Sequence, residues 1–256
     1  MNVSNWSSMA RWYDEQQGED GDLWHRALID PALLRVIGDV GGLRLLDLGC
    51  GNGYLSRRFA RMGAQVIGID ASAPIIECAQ LRERANPVGI EYHVGDAARL
   101  HMIDNASIDV GVSNMALMDI EDAAGAITEV GRVVRPGGRF VASLSHPCFD
   151  IVNASAWVIE RMEFTTTVWR KVSRYREIRA GRCPWRAGQE HIGYTPAYHR
   201  PLSWYVRTLR GAGFVITTLE EPEPTEELLA NSPSGPWLAE IPLHIVFEAR
   251  RETKTG

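Results

Sequence analysis

Residues 45–53 read Leu-Leu-Asp-Leu-Gly-Cys-Gly-Asn-Gly, a short apolar run that passes directly into three alternating glycines. The apolar run predicts a buried strand, and the glycines predict a tight turn whose backbone takes positive φ angles and approaches a ligand closely. A helix should follow at once, because residues 54–62 place apolar side chains three and four positions apart. The unpaired N–H groups of its first turn favour a nucleotide-like ligand or a carboxylate at this point.

The same alternation of apolar runs and helical segments continues along the chain and predicts a parallel sheet with crossover helices. The predicted strands are residues 43–48, 65–69, 90–93, 108–112, 138–144, 214–219 and 243–249. The predicted helices are residues 54–62, 73–84, 121–134 and 201–211, and residues 221–236 form a proline-rich link. The fold class expected is therefore α/β, with helices on both faces of one doubly wound sheet.

Charge and composition exclude several kinds of partner. The 256 residues carry a net charge of -5, which gives no overall positive field for DNA, and 45% hydrophobic content is enough for one sizeable core. The four cysteines form no Cys-x-x-Cys pair, and the N-terminus lacks the basic and apolar regions of a secretory signal. With no apolar run long enough to cross a bilayer, we expect a cytoplasmic protein that makes no membrane contact. No His-x-x-x-His pair or similar ligand pattern occurs, so no metal is expected.

The spacing of the glycines narrows the ligand class. A dinucleotide fingerprint needs Gly-x-Gly-x-x-Gly, but Tyr54 stands where the third glycine would fall when the count starts at Gly49. The acidic Asp47 at the strand end favours a cationic or amino-bearing ligand instead. The segment from Asp47 to Gly53 resembles the first motif of class I S-adenosylmethionine-dependent methyltransferases, and in particular the small-molecule groups of types 11 and 25.

Later positions resemble the same family and imply how the cofactor is held. Asp70 ends the second predicted strand, where the family's acidic residue accepts hydrogen bonds from both ribose hydroxyls. Asp96 and Ala97 resemble the pair that reads adenine, and Asn114 with Met115 resembles the loop beside the methionine chain. The cofactor-binding residues implied are Asp47, Gly49, Cys50, Gly51, Gly53, Asp70, Ala71, Asp96, Ala97, Asn114 and Met115. Any one of the acids could be a helix cap or a turn residue, but that explanation fits the whole set poorly.

The resemblance also implies an architecture. The seven strands should lie in the order 3-2-1-4-5-7-6, with the last strand antiparallel beside the fifth. We expect residues 1–40 to form a helical cap over the cofactor and residues 41–145 to form the Rossmann-like cofactor-binding core. Residues 146–200, which lack a strand and helix rhythm, should be an inserted substrate lid, and residues 201–256 complete the core sheet.

Two residues are candidates for catalysis. His146 directly follows the fifth predicted strand and is able to take a proton from a hydroxyl or ammonium acceptor, although a structural histidine is an alternative. Tyr13 lies in a Trp-Tyr-Asp segment that resembles the entry of many small-molecule methyltransferases, where it would bond the cofactor or line the acceptor site. The lid aromatics that could wall an acceptor are Trp157, Phe164, Trp169, Trp185 and Tyr194.

The resemblance implies an activity. The chain is expected to transfer a methyl group from S-adenosylmethionine to an oxygen or nitrogen of a small metabolite, with secondary metabolism as one setting, and to release S-adenosylhomocysteine. Two alternatives stay open, namely an RNA methyltransferase that uses the basic residues 170–179 and a non-catalytic regulatory protein that binds S-adenosylmethionine. A homodimer is compatible with the sequence.

Overall fold

The computed structural model describes residues 4–163, 165–187 and 189–253. In chain order the strands are β1 (Arg44–Leu48), β2 (Gln65–Asp70), β3 (Glu91–Val94), β4 (Ile108–Asn114), β5 (Val134–Ser145), β6 (Ser155–Arg161), β7 (Thr166–Val172), β8 (Arg179–Ala187), β9 (Glu190–His199), β10 (Phe214–Glu220) and β11 (His244–Arg251). The α-helices are α1 (Ser4–Ser8), α2 (Ala10–Gln17), α3 (Asp30–Ile37), α4 (Tyr54–Arg61), α5 (Ala73–Ala85), α6 (Ala123–Val133), α7 (Leu202–Gly211), α8 (Glu226–Asn231) and α9 (Gly235–Glu240). A π-helical turn, His25–Ile29, directly precedes α3.

A seven-stranded sheet in the order β10-β11-β5-β4-β1-β2-β3 forms the centre of the fold. The strands β1 to β5 are parallel, whereas β11 runs antiparallel to both β5 and β10. Numbered within the sheet, this order is 3-2-1-4-5-7-6, so the predicted fold class and strand order are confirmed. Because β1, β2 and β4 are parallel neighbours, their carboxyl ends lie at one edge of the sheet.

Alternation of side chains along each strand builds a core on both faces of this sheet. Leu46 packs with residues from α6 and α7, such as Val130 and Leu209. Its neighbour Leu45 packs on the opposite face with residues from α3 and α4, such as Phe59. Each such fully buried leucine contributes about 1.5–3 kcal/mol relative to an exposed one.

The structure corrects several boundaries that the sequence predicted. The fifth strand begins at Val134 and not at residue 138, because Val134 already pairs with Ile108 before a register shift. Residues 146–200 contain two antiparallel hairpins, β6–β7 and β8–β9, which form their own two-stranded sheets. The proline-rich link contains α8 and part of α9. Within the described ranges, no helix is both long and apolar enough to span a membrane.

The ring of one tyrosine in β3 contacts both β2 and the glycine turn that follows β1. Tyr92 of β3 lies against Gly68 of β2, and its hydroxyl donates to the carbonyl oxygen of Gly53 at 3.3 Å. A Cβ atom on Gly68 would lie 2.7 Å from the Tyr92 ring and 3.1 Å from the Cys50 sulfur. Only glycine therefore fits at position 68 without displacing the ring.

We predict that Gly68→Ala lowers the free energy of unfolding by about 1–3 kcal/mol, because the added methyl overpacks the contact with Tyr92. Urea denaturation measures this difference. Gly211→Ala in α7 is the matched control, since a Cβ there meets nothing within 4 Å, and it should be neutral or stabilising. Equal effects of the two substitutions would contradict the packing described for Tyr92.

Candidate active site

The glycine turn after β1 is built on positive backbone angles. Gly49, Gly51 and Gly53 have φ angles of 75°, 55° and 76°. The N–H groups of Gly49 and Cys50 both donate to the carbonyl oxygen of Ile69 in β2, at 2.7 and 3.0 Å. A Cβ atom on Gly49 would lie 2.5 Å from that of Ala116, so the turn also lies tight against the loop after β4. These contacts fix the turn at the carboxyl edge of the sheet.

Asp70, the last residue of β2, is held by backbone groups on both sides. Its Oδ2 accepts from the Gly51 N–H at 3.1 Å and its Oδ1 accepts from the Ser72 N–H at 2.9 Å. Burial raises the pKa of this carboxyl, against the effect of those N–H groups. Each carboxylate oxygen has a second lone pair, so a rigidly placed acceptor pair remains available to a ligand.

A cavity of about 710 Å³ opens over this edge of the sheet. Eight of the residues predicted to bind a cofactor line it, namely Gly49, Gly51, Asp70, Ala71, Asp96, Ala97, Asn114 and Met115. Asp47, Cys50 and Gly53 are not among its lining residues. All three are buried, Asp47 at the end of β1 and the other two within the turn.

Asp47 is a buried carboxyl with one neutral hydrogen-bond donor. Its side chain is 2% exposed and accepts from the Ser56 hydroxyl. Burial, together with the nearby carboxyls of Asp70 and Asp30, raises the pKa of Asp47 to about 7, and the Ser56 hydrogen bond opposes the shift. A positive charge placed near this carboxyl would lower its pKa and favour its ionised form.

The sequence reasoning missed a polar network around Asp30. Asp30 Oδ1 accepts from the Tyr54 hydroxyl at 3.1 Å and from Asn114 Nδ2 at 3.2 Å. Asp30 Oδ2 is buried, and no hydrogen-bond partner for it lies among the described residues. Burial raises the pKa of Asp30. The sequence around Asp30 carries no local signal for these contacts, because Tyr54 and Asn114 lie 24 and 84 residues away along the chain.

His25 is a second residue that the sequence reasoning missed. It lines the cavity, and its Nδ1 lies 2.8 Å from Asp22 Oδ1. Burial opposes a charge on this ring, but the hydrogen bond and charge of Asp22 outweigh burial and raise the pKa of His25. Gln17 Nε2 donates to the other oxygen of Asp22 at 3.1 Å and so fixes the pair. The sequence feature that could have indicated this pair is the position of Asp22, three residues before His25.

The N-terminal helices lie over the turn and bring aromatic rings to the cavity. Tyr13, a predicted catalytic residue, lines the cavity, and a Cβ on Gly51 would lie 2.9 Å from its hydroxyl oxygen. Burial and the carboxylate of Asp70 raise the pKa of Tyr13. The Trp6 ring lies 5.2 Å from Tyr13 and 5.6 Å from Trp185 of β8. The N-terminal helices and the β8–β9 hairpin therefore meet through edge-on and tilted contacts between aromatic rings.

His146, the other predicted catalytic residue, is not among the residues that line the cavity. Its Nδ1 accepts from the Cys148 N–H at 3.1 Å, and its Nε2 lies 2.9 Å from Glu221 Oε1. Both ring nitrogens are thus engaged within the chain, and the side chain is buried. This geometry is that of a structural histidine that fixes the turn after β5, and the catalytic role stays a prediction.

The aromatic residues that the sequence suggested as walls for an acceptor have different surroundings. Trp185 lines the cavity, whereas Trp157 packs against Trp237 at 5.6 Å between ring centroids. Trp169 and Tyr194 are largely exposed, and Phe164 lies outside the described residues. Among the basic residues 170–179, Arg170 pairs with Asp150 at 2.7 Å and Arg179 pairs with Glu177 at 3.9 Å.

Comparison with known proteins identifies the family. A model described as a methyltransferase domain matches residues 46–142. The structure of an S-adenosylmethionine-dependent methyltransferase from Mesorhizobium loti is 30% identical and superposes with a TM-score of 0.70, over 86% of this chain and 96% of that chain. The chain belongs to the S-adenosylmethionine-dependent methyltransferases. The predicted family and its cofactor, S-adenosylmethionine, are confirmed.

Curated relatives resemble a smaller part of the chain. A ubiquinone biosynthesis O-methyltransferase of Xanthomonas oryzae pv. oryzae is 31% identical over 136 residues, which are 52% of this chain and 55% of the relative. A demethylmenaquinone methyltransferase of Renibacterium salmoninarum is 32% identical over 127 residues, 49% of each protein. The match thus spans about half the length of these relatives.

The raised pKa of Asp47 predicts a pH-dependent stability. A carboxyl that binds its proton more tightly in the folded state than in the unfolded state makes folding less favourable as the pH rises from about 4 to about 7. We expect Asp47→Asn to remove this loss, so that unfolding free energies shift in favour of the variant by roughly 2–3 kcal/mol between pH 5 and pH 8.

Denaturant titrations at both pH values measure this shift. Asp109→Asn is the control, because Arg135 outweighs burial and lowers the pKa of Asp109, so that this group titrates below the tested range. The assignment would be contradicted if the difference in unfolding free energy from the wild type changed with pH equally in both variants, or did not change with pH in Asp47→Asn.

Proposed function

We propose that the chain transfers the methyl group of S-adenosylmethionine to an oxygen or nitrogen atom of a small-molecule acceptor and releases S-adenosylhomocysteine. The observation that carries this proposal is the single cavity that joins the glycine turn and Asp70 to the aromatic rings of the cap and the β8–β9 hairpin. Its volume of about 710 Å³ lies in the ordinary range for small-molecule sites.

The residues at the β2 and β3 ends fit an adenosine group. In this proposal the free lone pairs of Asp70 accept hydrogen bonds from the two ribose hydroxyls. Asp96 Oδ1 accepts from the Ala98 N–H at 3.0 Å, which fixes that carboxylate where it would accept from the adenine amino group. Ala71, Ala97 and the cavity-lining Ile75 offer small or apolar surfaces to a flat base.

The residues at the β1 and β4 ends fit the methionine group. When bound, S-adenosylmethionine supplies a methyl group on a cationic sulfonium and also carries an ammonium group. Asp30 has an unpaired oxygen and Asp47 has no cationic partner in the described structure, so a positive ligand would relieve both buried carboxyls. Asn114, already bonded to Asp30, and the main chain of Gly49, Gly51 and Met115 would orient this group.

The relatives support a small-molecule acceptor, since two of them are named for ubiquinone and demethylmenaquinone. The acceptor itself is not carried over from them, because the family model ends at residue 142 and many acceptor-side cavity residues follow it. An RNA acceptor is less favoured, because Arg170 and Arg179 are paired and the net charge is -5.

Transfer of label from S-adenosylmethionine carrying a radioactive methyl group tests the proposal. The protein is incubated with separate pools of phenols, amines and total RNA, and we expect label in a small product with one S-adenosylhomocysteine formed per methyl. Label only in RNase-sensitive material would favour the RNA alternative. Binding of S-adenosylhomocysteine without label transfer to any pool would favour the non-catalytic alternative.

A further inference from the structure

Asp119 is a cavity-lining carboxyl that the proposed function does not yet use. It lies in the loop between β4 and α6, and the Trp6 side chain is its hydrogen-bond partner. Burial and, to a smaller extent, the carboxylate of Asp70 raise the pKa of Asp119 to about 8, against the hydrogen bond from Trp6. Among the described residues, Asp119 forms no ion pair with a basic side chain.

The loop that carries Asp119 is fixed by a buried arginine. Arg200 is 4% exposed, and its guanidinium donates to the carbonyl oxygens of Ile120 and Glu121 at 2.7 Å each and to that of Leu117 at 3.4 Å. The Tyr198 N–H donates to the Met118 carbonyl oxygen at 2.7 Å. Arg200 therefore satisfies backbone groups on both sides of Asp119 and leaves its carboxylate facing the cavity.

Aromatic rings surround the same part of the cavity. Trp185 lies against both Trp6 and Trp12, at centroid distances of 5.6 and 5.8 Å, and its indole N–H donates to Thr195 Oγ1 at 2.8 Å. The titratable groups within electrostatic reach of Asp119 are Asp70, Cys183, Tyr198 and Tyr205. A carboxylate among aromatic rings that forms no ion pair with a described basic side chain is chemically suited to an organic cation.

We propose that the methyl acceptor is an amine on an aromatic or apolar framework, which Asp119 holds as its ammonium ion and then deprotonates, while Trp6 and Trp185 pack against the framework. This inference rests on the proposed function. It places Asp119 in contact with the reacting nitrogen and makes Arg200 a positioning residue.

The proton and electron changes balance in this scheme. The ammonium gives one proton to the Asp119 carboxylate, and the nitrogen lone pair then forms the new N–C bond. The S–C bond breaks and its electron pair stays on sulfur, which becomes the thioether of S-adenosylhomocysteine. A carboxyl with an ordinary pKa near 4 would hold this proton too weakly. The raised pKa of Asp119 is closer to that of an alkylammonium ion, which is near 10, so proton transfer to Asp119 is less unfavourable.

Two ligands of the same shape test the proposal. Phenethylamine and 2-phenylethanol differ only in the ammonium or hydroxyl group, and tryptamine with tryptophol forms a second such pair. Their binding to the protein saturated with S-adenosylhomocysteine is measured by calorimetry at pH 9, where a carboxyl with a pKa of about 8 is ionised and the amines are still ammonium ions. We expect at least one amine to bind about 10-fold or more tighter than its alcohol.

Variants assign this preference to Asp119. Asp119→Asn should abolish the preference for the amine, while the affinity for S-adenosylhomocysteine stays within about 2-fold of the wild-type value. A merely structural role of Asp119 would not produce this selective loss. Asp119→Ser provides a second variant if the first unfolds. Asp104→Asn, at an exposed acid that does not line the cavity, should keep the preference.

Three results would overturn the inference and leave the proposed function intact. These are an absence of amine preference in the wild type, a preference that persists in both Asp119 variants, and methylation of phenols in the label assay without methylation of amines. Failure of S-adenosylhomocysteine to bind the wild type would overturn the proposed function as well.

Discussion

The fold and the site both depend on the close approach of the glycine turn to its neighbours. Gly49 and Cys50 are bonded to the end of β2, and no side chain beyond hydrogen fits at Gly49 because Ala116 lies against it. The parallel pairing of β1 with β2 and β4 brings these loops to one edge. Once that edge is formed, Asp70, Asn114 and the cap must face a common cavity. The site is thus a consequence of strand direction and of one residue type with no Cβ.

The same edge concentrates acids, two of them buried and two half-buried. The pKa values of Asp30, Asp47, Asp70 and Asp119 are all raised by burial. Close carboxyls of this kind disfavour each other's ionisation and lower stability as the pH rises. A cationic ligand would reverse that cost, which is why a sulfonium cofactor fits the cavity better than an anionic dinucleotide would. These carboxyls therefore lower the stability of the protein without ligand and favour the binding of a positively charged group.

The sequence predicted those features of the fold and the site that depend on local residue patterns. The apolar runs predicted the strands of the sheet, and the resemblance carried by the glycine motif implied the strand order and the eight cofactor-binding residues that line the cavity. The sequence could not predict contacts across the chain. His146 follows β5 as expected, but Glu221 from a distant segment engages it. Asp119 was missed because its significance comes from Trp6 and Arg200, about 80 to 110 residues away on either side.

The most direct test of the account is calorimetric titration of S-adenosylhomocysteine into the wild type, Asp70→Asn and Asp104→Asn. Asp104 is an exposed residue between β3 and β4 and serves as the control. We expect S-adenosylhomocysteine to bind the wild type and Asp104→Asn with equal affinity. Its binding to Asp70→Asn should be roughly 10- to 100-fold weaker, because a charged acceptor for the ribose is lost. A folded wild type that does not bind, or an Asp70→Asn variant that binds as well as the control, would contradict it.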